Sequence, residues 1–326
     1  MYCLGIESTA HTFGVAVIKD KIILSNEKKA FQTQEGGMIP RQLADHHAAS
    51  CDVVLAAALQ KASVTMKDID LIAFSNAPGI GTALRIGSIV AKTLSLHHEI
   101  PLIGVNHCVA HLEIGRLLTT AKDPIFLYAS GANTQIIGYA AGCYRIFGET
   151  LDTGIGNFLD SFARYAGLGF PGGPKIEELA RAGKNYITLP YSVKGMDLAF
   201  SGMLTTLRRF LHAKKYPLED LAYSAQETSF AMLIEVAERA LAHTGKKELL
   251  LGGGVACNKR LQEMAQIMCR ERGAQCFILE NQYNVDNAAM IAWTGLLMWK
   301  HGVRPSFEEI EIRPYERTDD VDVKWV

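Results

Sequence analysis

A strand–turn–strand pattern occurs twice in this chain, and its repetition limits the folds that the chain can adopt. Each copy has an apolar run, a short polar turn and a second apolar run, in residues 2–18 and again in residues 125–139. Alignment of Ser8-Thr9 with Ser130-Gly131 places apolar residues opposite apolar residues along both copies. Internal similarity of this kind indicates a duplicated structural unit.

Helical and extended patterns alternate after both copies. The first half predicts a helical stretch from Met38 to Lys61, a strand from Leu71 to Ser75, and a strand from Ile100 to Val105 before a histidine-containing helix. The second half predicts helices Phe158–Tyr165, Lys175–Ala182, Phe200–Ala213, Leu221–His243 and Lys259–Arg272, and strands Glu248–Leu251 and Gln275–Leu279.

This order of elements predicts a bilobal α/β protein with an actin-like, duplicated ribonuclease H-like fold, the ASKHA fold shared by actin and sugar kinases. We expect a first lobe in residues 1–124 that contains the histidine helix. We expect a second lobe in residues 125–326, with a helical insertion at about 160–244 and a final helix at about 286–300.

Charge is balanced over the chain, with 33 basic and 34 acidic residues and a formal net charge of −1. A protein that holds nucleic acid alone by neutralising phosphates is usually more basic. A nucleic-acid enzyme of this composition therefore needs a local basic patch or a basic partner. Arg41, Arg85, Arg208-Arg209 and Lys214-Lys215 are candidates, although each is also compatible with a solvated face.

The cysteines and the apolar segments predict a cytoplasmic protein without membrane contact. Seven scattered cysteines form no Cys-x-x-Cys pair and no disulfide framework, so we expect reduced thiols. The N-terminus has no basic segment followed by an apolar run, which excludes a secretory signal. The longest apolar stretch, Ala288 to Trp299, is too short to span a bilayer.

His107 and His111 are the first residues whose spacing suggests a chemical role. Four residues apart on a helix, both imidazoles lie on one face and can bind one metal ion. The same spacing also occurs by chance on ordinary helix surfaces. Because the residue after the first histidine is Cys108 rather than glutamate, the pattern is not that of a zinc protease.

Tyr128 and Asp286 are candidate ligands from other segments. Tyr128 ends the first strand of the second repeat, facing a cleft between lobes, and Asp286 precedes the final helix. An aspartate in that position is also a good helix N-cap. Two histidines with a phenolate and a carboxylate suit iron or zinc, and the sequence does not choose between them.

Two glycine-containing turns and three carboxylates suggest a nucleotide site. Residues 130–134 offer backbone amides for phosphate, and residues 252–258 allow an adenosine to lie against the backbone. Asp160 and Glu177 are candidates for ribose hydroxyls, or else helix caps or solvated charges. Glu7, in the first turn, is a candidate for orienting the site through water or magnesium.

Ten sequence blocks spread over nearly the whole chain carry a family resemblance. They are GIESTAHTFGVAV, EGGMIPRQLADHH, APGIGTALRIG, NHCVAHLEIGR, LYASGANTQI, LDTGIGNFLDSFAR, FPGGPKIEELA, AFSGMLTTLRR, LGGGVACNKRL and NVDNAAMIAWTGL. The chain resembles the tRNA threonylcarbamoyladenosine synthesis proteins, formerly called O-sialoglycoprotein endopeptidases. Tyr128 and the Asn133 turn resemble the archaeal and eukaryotic branch, which works in the KEOPS complex.

The resemblance implies an acyltransferase that moves the threonylcarbamoyl group of threonylcarbamoyl-AMP to N6 of the adenosine 3′ of a tRNA anticodon, in tRNAs that read codons beginning with adenine. It implies four metal ligands, His107, His111, Tyr128 and Asp286, for one iron or zinc ion. It implies catalytic roles for Glu7 and Ser130. It implies a site for the adenylate or ATP, with magnesium as a further candidate ion, at Tyr128, Ala129, Ser130, Gly131, Ala132, Asp160, Gly173, Glu177, Gly253 and Asn258. The implied partners are tRNA and KEOPS subunits, among them a small atypical kinase.

Some residues depart from the family pattern, and other functions stay open. Ala132 replaces a glycine of the phosphate turn, and a methyl group there is unfavourable if the turn needs a positive φ angle at this position. Gly154 replaces an alanine. The general base is not evident; Glu7 and the His46-His47 pair are candidates, the pair being equally explained as a helix face. The alternatives are a small-molecule kinase of the same fold and a nucleotide-gated scaffold without catalysis.

Overall fold

The first lobe is built on a five-stranded sheet. The computed structural model of the chain describes residues 1–33 and 39–326. The strands of this sheet are β1 (Tyr2–Glu7), β2 (Thr12–Lys19), β3 (Ile22–Ala30), β4 (Leu71–Ala77) and β5 (Leu102–Asn106). They lie in the order β3-β2-β1-β4-β5. The first three form an antiparallel meander, and β4 and β5 are parallel to β1.

Within the described residues, the first half of the chain contains four α-helices. They are α1 (Pro40–Ala48), α2 (Cys51–Ala62), α3 (Gly81–His98) and α4 (His107–Leu118). The predicted helix from Met38 to Lys61 is thus two helices, interrupted before α2, where Ser50 occupies the N-cap position. Met38 and the Glu35–Met38 part of the EGGMIPRQLADHH block lie outside the described residues.

The second half repeats the sheet of the first. Its strands are β6 (Ile125–Ala129), β7 (Thr134–Ala140), β8 (Cys143–Glu149), β9 (Val193–Lys194), β10 (Asp197–Leu198), β11 (Glu248–Gly252) and β12 (Gln275–Ile278). Apart from the short β9–β10 pair, they form a sheet in the order β8-β7-β6-β11-β12. Again an antiparallel meander is followed by two parallel strands, so the predicted duplicated α/β fold is confirmed.

Seven helices follow in the second half. They are α5 (Ile155–Tyr165), α6 (Gly173–Ala182), α7 (Ser201–His212), α8 (Leu218–Thr244), α9 (Lys259–Glu271), α10 (Asn281–Asn284) and α11 (Ala288–Lys300). The helices α5 to α8 form the insertion between β8 and β11. Among the helices that the structure describes, none is long and apolar enough to cross a membrane.

Helix α11 follows the second sheet in sequence but packs against the first. A Cβ atom on Gly5 of β1 would lie 2.3 Å from the carbonyl oxygen of Ala288, and one on Gly295 would lie 2.4 Å from Cβ of Ala73. Glycine at these two positions therefore allows the helix and the sheet to approach closely. The division of the chain after residue 124 stays a prediction.

Helix α4 lies between the two sheets. Ala110 and Ile114 pack with α11 and the first sheet, whereas Leu112 packs with Phe126 and Tyr128 of the second. Because side chains alternate along a strand, residues 125, 127 and 129 of β6 face the insertion instead. This arrangement places the N-terminal end of α4 at the boundary between the lobes.

Candidate active site

A cavity of about 650 Å³ opens between the lobes at the ends of their first strands. Ten of the residues singled out from the sequence line it: His107, Tyr128, Ser130, Gly131, Ala132, Asp160, Gly173, Glu177, Asn258 and Asp286. Four others, Glu7, His111, Ala129 and Gly253, are not among its lining residues. The duplicated sheets thus bring together segments from both halves of the chain.

The buried His107 and His111 form a cluster of potential metal ligands with the partly buried Asp286. One ligand atom from each lies within 4.8 Å of the others. The Nε2 atoms of both histidines are 3.5 Å from Oδ1 of Asp286. The alternative assignment of Asp286 as a helix cap is wrong, because the side chain of Asn287 accepts the hydrogen bond from Met290 N at the start of α11. The carboxylate of Asp286 is therefore available to the histidines.

The imidazole of His111 is suited to bind a cation. Its side chain is 1% exposed, and neither ring nitrogen has a hydrogen-bond partner in the part of the chain that the structure describes. Burial lowers the pKa of His111 below its ordinary value, even though Asp286 acts in the opposite direction. A buried neutral imidazole whose Nε2 lies 3.5 Å from Asp286 Oδ1 without a hydrogen bond is costly unless a ligand binds it.

Tyr128 lies beside His111, with the two ring centroids 5.1 Å apart. The tyrosine is 1% exposed, and burial raises its pKa well above the ordinary value. Its hydroxyl therefore stays protonated unless a cation lies close to it. Its assignment as a fourth ligand stays a prediction.

Glu7 holds the other side of the His107 ring. Its carboxylate is fully buried and accepts hydrogen bonds from the backbone amide of Thr9 at 2.7 Å and from His107 Nδ1 at 3.0 Å. Burial alone would lower the pKa of His107, but the Glu7 and Asp286 carboxylates raise it well above its usual value. With Nδ1 bound to Glu7, Nε2 of His107 is directed toward Asp286.

The turn between β6 and β7 presents backbone amides to the cavity. Ser130 N donates to the carbonyl of Asn133 at 2.9 Å, and Asn133 N donates to Ser130 Oγ at 3.2 Å, so the turn is closed on itself. The amides of Gly131 and Ala132 donate no hydrogen bond within the described residues. Free N–H groups in such a turn are the usual donors to phosphate oxygens.

Glycines at the start of α5 support this turn from behind. A Cβ atom on Gly154 would lie 2.4 Å from the carbonyl oxygen of Gly131, and one on Gly156 would lie 2.7 Å from Gly131 Cα. In the sequence, Gly154 was recognisable only as a departure from the family pattern, and this contact was not predicted. Ala132 is not among the residues with positive φ, so its methyl group needs no strained backbone.

Asp160 and Glu177 face the cavity from the insertion. Asp160 accepts a hydrogen bond from Gly172 N at 2.7 Å, and burial raises its pKa above the ordinary value. Glu177 accepts from Lys259 N at 3.2 Å and from Arg181 at 3.0 Å. Both carboxylates are thus held by hydrogen bonds while lining the cavity, Asp160 by one backbone amide and Glu177 by a backbone amide and an arginine.

Asn258 and Gly253 have structural roles in the part of the cavity wall formed by residues 253–258. The Asn258 carbonyl caps α9 by accepting from Arg260 N at 2.9 Å, and its amide donates to Gln226 at 2.9 Å. Gly253 has a φ of +90°, and a Cβ there would lie 2.4 Å from the carbonyl oxygen of Ala129. A glycine is therefore required at 253, and Gly254 lines the cavity in its place.

Sequence reasoning missed several residues of the cavity wall. His11 lies in the first turn, with Nδ1 3.9 Å from Asp286 Oδ2 and its ring 6.3 Å from that of Phe170 across the cavity. The sequence feature that could have identified His11 is its position in the first turn, which the internal repeat aligns with the phosphate turn at residues 130–134. His46 and His47 are not among the lining residues, and His47 is fully buried.

The sequence of the chain is similar to those of one family of known proteins. The family model described as tRNA N6-adenosine threonylcarbamoyltransferase matches residues 21–293. A protein of that name from Thermococcus kodakarensis is 52% identical over 325 residues, covering 100% of both chains. A probable bifunctional tRNA threonylcarbamoyladenosine biosynthesis protein from Methanosarcina mazei is 52% identical, covering 100% of this chain and 60% of that protein.

Solved structures of low sequence identity share the bilobal architecture. HypF from T. kodakarensis superposes with a TM-score of 0.63 and 16% identity, over 92% of this chain and 47% of that one. Component A of the Acidaminococcus fermentans (R)-2-hydroxyglutaryl-CoA dehydratase superposes with a TM-score of 0.56 and 14% identity, over 90% and 97%. Both similarities concern the fold alone, and they agree with the predicted ASKHA architecture.

Proposed function

The chain belongs to the tRNA N6-adenosine threonylcarbamoyltransferase family, and we propose that it uses threonylcarbamoyl-AMP to modify N6 of the adenosine 3′ of the anticodon, in tRNAs that read codons beginning with adenine. Its relatives of that name match it over their full length at about half identity. The amine of the adenosine attacks the carbamoyl carbon, the bond from that carbon to the phosphate oxygen breaks, and AMP and one proton leave.

One juxtaposition carries this proposal: a phosphate-binding turn and a histidine–aspartate cluster line the same cavity. A mixed carbamic–phosphoric anhydride is already activated, so the protein needs to position the amine and to stabilise the charge on departing AMP. The free amides of Gly131 and Ala132 are suited to the second task. Asp160 and Glu177 lie where they can accept hydrogen bonds from the ribose.

The residues around His111 fit a divalent transition metal, iron or zinc, with His107, His111 and Asp286 as ligands and Tyr128 as the fourth. The fit rests on the unpartnered Nε2 of buried His111 and on a donor set of nitrogen and oxygen atoms. When bound, such an ion supplies a Lewis acid for a phosphate oxygen of the adenylate. Magnesium bound with the nucleotide is a further candidate.

Glu7 and Ser130 act in this proposal by positioning rather than by contact with the reacting atoms. Glu7 fixes the ring of His107 through Nδ1, and the Ser130 hydroxyl donates to the carbonyl of Asn133 at 3.1 Å, which shapes the phosphate turn. Gly173 provides an open surface, since a Cβ there would meet nothing within 4 Å. Adenine stacking against the backbone near Gly254 completes the proposed site.

The remaining functions are weaker candidates. A small-molecule kinase of this fold needs a carboxylate free to act as base near the acceptor, whereas Asp160 and Glu177 already accept backbone amides and Asp286 faces two histidines. A scaffold that only senses nucleotide gives no reason for a buried, unpartnered imidazole. Both alternatives are outcomes of the experiment below.

The partners in this proposal are tRNA and KEOPS subunits, among them a small atypical kinase. The balanced net charge of −1 supports a need for additional basic surface from partners. The proposed location is the cytoplasm, which agrees with seven cysteines that are all free. Copurification with the kinase from native cells tests the partnership.

Transfer is tested with purified full-length protein, its partners, threonylcarbamoyl-AMP and unmodified tRNA. The expected result is the modified nucleoside, detected by mass spectrometry of digested tRNA, with AMP released in equal amount. Phosphorylation of a small molecule by ATP would support the kinase alternative. Bound nucleotide and metal without any product would exclude the transferase and favour the scaffold.

A further inference from the structure

Two arginines, one at the C-terminal end of α5 and one on α7, share one aromatic ring. The guanidinium carbons of Arg164 and Arg208 lie 5.9 and 5.7 Å from the ring centroid of Tyr165. All three residues are exposed, with Tyr165 at 43%. Helices α5 and α7 thus contribute cations to one face of the insertion.

A second group of the same kind continues along α7. Arg209 and Lys215 lie over the ring of Phe210, at 5.5 and 5.3 Å, and Lys215 also lies 5.1 Å from the ring centroid of Tyr216. Arg209 follows Arg208 directly in α7, so the two groups are anchored on neighbouring backbone positions. We define the α5–α7 basic surface as Arg164, Tyr165, Arg208, Arg209, Phe210 and Lys215.

None of the cations of this surface forms an ion pair with a carboxylate within the described residues, although Arg164 interacts electrostatically with Asp160. Arg164 donates only to the hydroxyl of Ser161, at 3.3 Å. Other arginines of the second half form ion pairs with glutamates: Arg181, Arg239, Arg260 and Arg272. Because its cations are not neutralised in this way, the α5–α7 basic surface keeps a local positive potential although the whole chain is slightly acidic.

Helix α5 connects this surface to the cavity. Asn157 and Asp160, in the first two turns, line the cavity, and Arg164 follows Asp160 by four residues on the same helix face. Four residues of α-helix advance about 6 Å along the axis. A nucleotide with its base in the cavity therefore has its neighbouring phosphates within reach of Arg164.

We propose that the α5–α7 basic surface binds the phosphate backbone of the tRNA next to the adenosine that enters the cavity. The cations contact phosphates, and the exposed ring of Tyr165 offers a stacking face for an unpaired base. The inference rests on the proposed function, because that function brings RNA to the cavity. An acidic protein partner is the competing occupant and is an outcome of the test.

The experiment compares the full-length chain with a triple variant, Arg164→Gln, Arg208→Gln and Lys215→Gln. The matched control removes three exposed lysines at the opposite ends of the sheets, Lys21→Gln, Lys67→Gln and Lys122→Gln. Dissociation constants for unmodified tRNA are measured by fluorescence anisotropy over a range of salt concentrations. Binding of AMP to each protein is measured as well.

The triple variant is expected to bind tRNA about tenfold or more weakly at ~0.1 M salt. The slope of log K against log salt should become shallower by about two to three, since each phosphate contact contributes ~0.7–0.9. Because the substituted side chains lie outside the cavity, AMP binding should be unchanged. The control should keep most of the wild-type slope and affinity.

Three results would overturn the inference: an unchanged slope in the triple variant, an equal change in the control, or no tRNA binding by the wild-type chain. Polyglutamate serves as a second probe, in place of an acidic protein. If the triple variant loses polyglutamate binding while its tRNA binding stays intact, the surface is assigned to an acidic protein instead. If wild-type protein with its partners binds tRNA through this surface but forms no modified nucleoside, the proposed function fails and the surface assignment stands.

Discussion

Nδ1 of His107 lies 3.0 Å from Oε2 of Glu7, and both side chains are buried. The ring is therefore bound on one side by a carboxylate from β1 and faces Asp286 with its other nitrogen. Two segments far apart in sequence fix the orientation of one imidazole. A carboxylate behind a metal-binding histidine raises its basicity and holds its tautomer.

Glu7→Gln is expected to lower the affinity for iron or zinc by about 10- to 100-fold. The glutamine side chain is neutral and has only one acceptor oxygen. Its NH2 group would therefore face either Thr9 N or His107 Nδ1, and both of these are donors. Metal affinity is measured by competition with a chelator, and AMP binding is measured in parallel. If Glu7 acted only on substrate, metal affinity would stay at the wild-type value.

Alanine at both His107 and His111 should abolish metal binding and transfer while the fold is retained. Added metal should raise the melting temperature of the wild-type protein and leave that of the double variant unchanged, because only a native-state site links binding to stability. Metal content is measured by mass spectrometry, and folding by circular dichroism. Full transfer activity in the double variant would disprove the assignment of this site.

Gly154→Ala should displace the phosphate turn, because the new Cβ would lie 2.4 Å from the carbonyl oxygen of Gly131. We expect a loss of about 1–3 kcal/mol in the free energy of unfolding. Loss of one hydrogen bond to a charged phosphate should weaken AMP binding about tenfold. Calorimetry measures both the free energy of unfolding and the affinity for AMP.

Gly202→Ala is the matched control for Gly154→Ala. Gly202 lies in α7, and a Cβ there would meet nothing within 4 Å. The control should therefore stabilise the protein by about 0.5–1 kcal/mol, since alanine is the better helix former, and leave AMP binding as it was. Equal AMP affinities in the two variants would show that Gly154 does not support the turn.

Stability should fall in mild acid because of His47. Burial lowers the pKa of His47 to about 4, whereas the unfolded chain binds the proton near the ordinary value of 6.5. Above that value both states are neutral; below it the unfolded state gains protons first, so stability is lost as pH falls from 6.5 toward 4. Between pH 7 and pH 5 the contribution is about 2 kcal/mol.

The test compares denaturant unfolding of wild type, His47→Leu and His97→Leu at pH 7 and pH 5. The buried His47 variant should lose about 2 kcal/mol less between the two pH values than wild type. The exposed His97 variant should behave as wild type does. A wild-type-like pH dependence in His47→Leu would mean that another group is responsible.

The duplicated architecture could be predicted because its signal, two apolar runs around a short polar turn, occurs twice. The hairpins at residues 2–18 and 125–139 became β1–β2 and β6–β7 in sheets of identical order. The interruption between α1 and α2 could not be predicted, since the Ala48-Ala49-Ser50 segment contains no helix-breaking residue. Tertiary packing decides such boundaries.

At the site, the spacing of the two histidines was enough to predict the histidine pair. The complete set of four metal ligands was predicted only from the family resemblance. The spacing of His107 and His111 could not show that Glu7 lies behind the ring, because that contact spans 100 residues. Likewise, only the structure distinguishes Asp286 from Asn287 as the cap of α11. Contacts between distant segments have no local sequence pattern.

The packing of α11 on the first sheet has a consequence for biosynthesis. A ribosome releases the first sheet and α4 early, but Asp286 and α11 emerge only after the whole second sheet. Until then the face of β1 that contains Gly5 is uncovered, and His111 has no carboxylate opposite it. The first sheet therefore cannot be covered by its own half of the chain, and the cluster of His107, His111 and Asp286 forms only after residue 286 has been translated.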